Sequence, residues 1–129
     1  MGAMQRRQCG RVAVVLVVVL GPIAAFAIAL WPVYVTPRAD RPAPADATVV
    51  LGGAHDGREI ARLAAAEHWR KVIVVTFTPH LSRARYIIGK CWDGDLLMVE
   101  NAAYLAPAGW AYNFVYQSFG YARALFEDC

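Results

Sequence analysis

Residues 12–30 hold 19 consecutive positions without a charge, twelve of them Val, Leu, Ile or Phe. Coiled as an α-helix at about 1.5 Å per residue, such a run reaches roughly 28 Å, close to the hydrocarbon thickness of a bilayer. Its apolar residues favour insertion by on the order of 4–7 kcal/mol, before any cost of the Gly21-Pro22 pair, which kinks a spanning helix without forbidding it. Arg6, Arg7 and Arg11 precede the run with no acidic residue among them, and Trp31 and Tyr34 follow it as interfacial anchors. That asymmetry predicts an inner N-terminus and an exported remainder. A cleavable signal peptide is the competing reading, with Ala25-Phe26-Ala27 as the cleavage site. The apolar run, however, continues through Trp31, where a mature secreted N-terminus normally turns polar.

The three early arginines account for the whole formal charge of +3, because beyond Thr36 ten basic side chains face ten acidic ones. The exported part is thus electrically balanced and has no footprint for nucleic acid. With 58% hydrophobic residues the chain is not disordered either. The expected organisation is a basic cytoplasmic N-terminus over residues 1–11, a transmembrane anchor over 12–35, a Pro-rich linker over 36–46 that acts as an extended spacer, and a domain over 47–129.

Within that domain Thr48-Val49-Val50-Leu51 reads as a buried strand running into the Gly52-Gly53 turn, followed by an amphipathic helix over residues 58–69. Residues 71–77 are apolar at both parities, as in a central parallel strand with helices on each side. Thr78-Pro79 opens a second helix with Leu81, Ala84 and Ile88 inward, ending at Gly89. A third strand over 95–99 and an aromatic helix over 107–127 complete a βαβαβα order. The fold class is therefore α/β: a transmembrane helix plus a small three-layer, Rossmann-like domain with about three parallel strands.

Ligands of open parallel sheets gather at the carboxyl ends of the strands. There the sequence places the glycine turn, the stretch from Thr76 to Arg83, and Glu100 with Asn101. The turn imitates a P-loop, but Arg58 and Glu59 stand where that motif requires Lys and Ser or Thr, so a nucleoside triphosphatase is excluded. His80 and Arg83, three residues apart at a helix start, can present an imidazole and a guanidinium to one anionic group; the bland alternative is a solvated helix start. Ser82 lacks an evident acid–base partner, and His55, Asp56 and His80 lack metal-ligand spacing, so neither a catalytic triad, nor a metal, nor a cofactor is expected. The aromatic residues from Trp110 to Tyr121 read as core, with a lipid-facing or partner-facing role for some as the alternative. Cys91 and Cys129 share the exported side and are expected to pair, whereas Cys9 stays inside.

These residues resemble the YdcF-like family (SanA/ElyC group) of membrane-anchored α/β proteins linked to the bacterial cell envelope. The similarity lies in the anchor, in Val49-Val50-Leu51-Gly52-Gly53, in Val72-Ile73-Val74-Val75-Thr76 followed by Pro79-His80-Leu81-Ser82-Arg83-Ala84, and in the aromatic C-terminal helix. It implies that His80 and Arg83 are rim residues. It also implies an internal deletion, since family members place a helix, a further strand and an acidic loop where this chain has only Ala54 to Gly57. The reading is a single-pass envelope protein whose Gly52, Gly53, His80 and Arg83 bind a small anionic or nucleotide-like ligand, with no catalytic residue assigned. Its rivals are a non-enzymatic membrane-anchored remnant that binds a protein partner or regulates one, and a small secreted domain.

Overall fold

A computed structural model of the chain describes residues 2–52 and 57–129, with the backbone alone for residues 2–7. The chain divides into two units, Met1–Trp31 and Pro32–Cys129. The first unit is helical throughout and belongs to α1 (Gly2–Tyr34), whose last turn falls in the second unit. From Gln8 onward α1 has a mean hydropathy of 2.9 over its most apolar stretch, none of it buried. Val14, Val17 and Ile28 are each more than 60% exposed, so the helix is apolar all round rather than on one stripe. A helix of this kind is long and apolar enough to cross a membrane, and it is not the core helix of a globular domain.

The second unit holds β1 (Ala47–Val50), α2 (Gly57–Ala66), β2 (Lys71–Phe77), a 3-10 turn (Thr78–His80), α3 (Leu81–Cys91), β3 (Asp95–Asn101) and α4 (Pro107–Phe126). The strands form one parallel sheet in the order β1-β2-β3, with Val49 opposite Val74 and Val74 opposite Met98. Because both crossovers step in the same direction, right-handed connections bring α2 and α3 to one face of the sheet. Ile60 and Ala64 of α2 and Leu81, Ala84 and Ile88 of α3 accordingly enclose Val72, Val74 and Met98.

α4 packs on α3 and the 3-10 turn, and the face of the sheet away from α2 and α3 is only partly covered. On the opposite face Val50 stays 72% exposed and Val75 and Phe77 are half-buried, although Ile73 is covered. The apolar run of β2 suggested two covered faces; a strand pattern reports hydrophobicity, not what lies against it.

Residues 36–46 form neither helix nor strand, and they are not a free spacer. Asp40 reaches the edge strand β3, its N–H donating to the Met98 carbonyl and its carboxylate accepting the Met98 N–H at 2.9 Å and pairing with Arg85 at 2.8 Å. Burial alone would raise the Asp40 pKa; the Met98 N–H and Arg85 outweigh it and hold it below its ordinary 3.8. A segment laid along β3 covers part of an edge that would otherwise offer unpaired backbone groups. Asp46 makes the second tie, accepting the N–H groups of Arg70 and Lys71 at 2.7 and 2.9 Å.

The C-terminus is tied down as firmly. Cys91 and Cys129 form a disulfide with their Cα atoms 5.3 Å apart, within the ordinary range for such a bridge. Around it Lys90 donates to the carbonyls of Ala124 and Glu127, Arg62 donates to the Cys129 carbonyl, and Glu127 pairs with Arg58. α3 continues to Cys91, past the Gly89 expected to end it, and thereby presents the sulfur to the tail.

Candidate ligand-binding site

The sheet positions the site by extending its ladder one step beyond β1. Leu51 donates its N–H to the Val75 carbonyl, and the Thr76 hydroxyl donates to the Leu51 carbonyl, so Gly52 emerges at the rim directly beside β2. On the other side of β2 the Thr78 hydroxyl donates to the Glu100 carboxylate at 2.6 Å. That bond replaces the helix-cap role expected of Thr78, and the 3-10 turn begins with no side-chain cap. The three strand ends are thereby drawn together as the parallel topology requires.

A cleft of about 260 Å³ opens there. Leu51, Gly52, Phe77, His80 and Arg83 form one wall; Tyr112, Asn113, Tyr116 and Gln117 of α4 form the other. Gly52, His80 and Arg83 are thus brought to one place. Gly53, with His55 and Asp56, lies outside the described residues.

His80 and Arg83 touch directly, the guanidinium donating to His80 Nδ1 at 2.9 Å. Because arginine can only donate, this bond places the proton of the neutral imidazole on Nε2. The ring stacks parallel to Phe77 at 6.0 Å, which fixes its plane. Arg83 also lies over the face of Tyr116, its Cζ 5.3 Å from the ring centroid. Its neighbours are an imidazole and an aromatic face, and among the described residues no carboxylate neutralises it.

Two features of α4 make room for this arginine. A Cβ at Gly120 would collide with Arg83 Nη1 and come within 2.8 Å of its Cζ, so only glycine admits the guanidinium here. The residues α4 turns inward are Asn113, Gln117 and Ala124, while Tyr112, Phe119 and Phe126 point outward. Tyr112, Tyr116 and Phe119 thus depart from the expectation that the aromatics of this helix form core, whereas Trp110, Phe114 and Tyr121 are half-buried, Phe114 against Tyr34 and Tyr121 against Tyr86. Asn113 donates to the Gly109 carbonyl and accepts from Gln117, but Gln117 Oε1, in a side chain with no exposure, has no partner among the described residues. Arg83 Nε is likewise buried and without a partner among the described residues. A donor and an acceptor left so are each worth about 1–3 kcal/mol of lost solvation.

No protein-family model, curated protein or solved structure matches this chain. The site must therefore be read from its own chemistry.

Ser82, adjacent in sequence, takes no part. Its hydroxyl donates to the Val33 carbonyl at 2.7 Å and so clamps the last turn of α1. Among the described residues no three His, Cys, Asp or Glu side chains gather as a metal site would need. Asn113, Gln117 and Gly120 were not anticipated. Their one sequence signal was a pair of amides four residues apart in an otherwise aromatic helix, with a glycine one turn further.

Proposed function

We propose that the chain is a single-pass, membrane-anchored protein of the YdcF-like kind in the bacterial cell envelope, whose domain binds a small anionic ligand at the carboxyl rim of its sheet. The observation that carries this reading is Arg83: a half-buried cation facing a cleft, oriented by His80 and Tyr116, with no carboxylate beside it among the described residues. Leaving such a charge unneutralised is unfavourable unless an anion completes it. His80, whose Nδ1 accepts from Arg83, holds the guanidinium at the rim, and the aromatic rings around the cleft suit a ligand with a flat apolar portion. These groups are suited to position and neutralise an anion.

The test is thermal unfolding of the full chain in detergent micelles, with inorganic phosphate and pyrophosphate as probes. A ligand at about 100 times its Kd stabilises a protein by roughly 2.7 kcal/mol. The expected result is an upward shift for the native chain that vanishes in Arg83→Ala and shrinks in His80→Ala. An equal shift in Arg83→Ala would remove the site.

A further inference from the structure

From Asn101 to Ala122 the chain carries 22 residues without a charge, although most of them form a surface helix. Tyr112, Val115, Tyr116, Phe119 and Phe126 follow at helical spacing on one stripe of α4, with exposures of 64, 56, 48, 75 and 88%. The polar residues Asn113 and Gln117 face inward. A helix that turns amides toward its own domain and aromatics outward is built for an apolar environment, not for water.

We infer that this stripe lies in the interfacial region of the bilayer that α1 crosses. The inference rests on the reading of α1 as a membrane anchor. Three observations select the membrane over another occupant. First, α4 is fixed to the end of α1: Tyr34 is 2% exposed, meets the Phe114 ring edge-on at 5.3 Å and shares a hydrogen bond of 3.0 Å with Ser118. Trp31, where the apolar unit ends, is three residues before Tyr34, a chain distance of at most about 11 Å. Second, Tyr and Phe are the side chains that interfaces retain, because an apolar ring and, in Tyr, a polar tip match the two sides of the boundary. Third, α4 itself contains no acidic residue to be repelled by anionic headgroups, and Arg123 on the same stripe is paired with Glu127 just beyond the helix, so the stripe carries no unbalanced negative charge.

The experiment uses the full chain with Cys9→Ser and the disulfide intact, carrying one added cysteine through Phe119→Cys or, as a control on the exposed side of α2, Ala65→Cys. Each is labelled with an environment-sensitive nitrobenzoxadiazole and reconstituted into phosphatidylcholine and phosphatidylglycerol vesicles. Nitroxide-labelled lipids quench probes that lie about 5–10 Å into the headgroup boundary. The expected result is quenching at position 119 at least about threefold stronger than at position 65, for a stripe lying at that depth. Equal quenching at both positions, in chains that alkaline carbonate leaves in the membrane, overturns the inference alone. Release of the chain by carbonate overturns the anchor reading and the inference with it. A probe at position 119 that is shielded but insensitive to nitroxide lipid, and loses its shielding as protein is diluted in lipid, assigns the stripe to a second copy and also overturns it.

Discussion

Gly120→Ala tests the construction of the site without reference to any ligand. In a helix interior the change from glycine to alanine stabilises by about 1 kcal/mol. Here the new methyl group would occupy the position of Arg83 Nη1. The far end of an arginine can swing away, so the fold survives, but Arg83 then loses its bond to His80 and its place over Tyr116. Those losses are worth about 0.5–1.5 and 0.5–1 kcal/mol respectively. The losses together, about 1–2.5 kcal/mol, offset or exceed the gain, and the single variant should unfold within about 1.5 kcal/mol of the native chain. In an Arg83→Ala background nothing opposes the methyl group, and the full propensity gain of about 1 kcal/mol should reappear. The double-mutant cycle is therefore expected to return a coupling of about 1–2.5 kcal/mol, read from urea unfolding of the full chain in micelles by tryptophan fluorescence. Gly89→Ala, at an exposed position of α3 where a Cβ meets nothing within 4 Å, is the control and should stabilise by itself. Additive effects of Gly120→Ala and Arg83→Ala would refute the reasoning, because they would mean that the guanidinium does not occupy the space against α4.

Breaking the Cys91–Cys129 bridge frees a loop with a sequence separation of 38, and Cys129→Ser should lower stability by about 2–4 kcal/mol. In a domain of this size that is a fall in Tm of roughly 10–25 °C, and alkylation of both thiols without reductant would contradict the pairing. Asp46 is held below its ordinary pKa of 3.8, chiefly by the Lys71 N–H and then by the Arg70 N–H. Its contribution is therefore complete above about 3.8, its unfolded value, and is lost as pH falls through the lower folded value. Asp46→Asn should be less stable than the native chain at pH 7 and should flatten the acid limb of a stability profile recorded from pH 6 to pH 2; an unchanged acid limb would show that the carboxylate makes no such bonds.

Much of the fold was legible because it depends on local order and hydrophobic pattern. The apolar run of α1 needs no partner to be recognised, and the strand and helix order of residues 47–126 follows from period and punctuation. The pairing of Cys91 with Cys129 followed from their presence on one side of the expected topology. His80 and Arg83 were within reach of sequence because residues three apart at the start of a helix are neighbours in any fold.

What residues 36–46 do was not legible, since prolines dictate an extended backbone but not the edge it lies along. How far the second face of the sheet is covered was not legible either. Val72 and Val74 need a covered face wherever helices supply one, and only the order of the strands put α2 and α3 on the same side. For α4 composition misled, because aromatic residues are ordinarily buried and amides ordinarily exposed. The sequence by itself determined an apolar helix, three short strands, and a basic and an imidazole side chain at one strand end. Only the tertiary structure decided that Arg83 lies in a notch opened by Gly120, beside buried amides and under a helix that turns Tyr112, Tyr116 and Phe119 outward. The reason is physical: periodicity records which residues share a face, whereas the identity of what meets that face depends on contacts between segments remote in the chain.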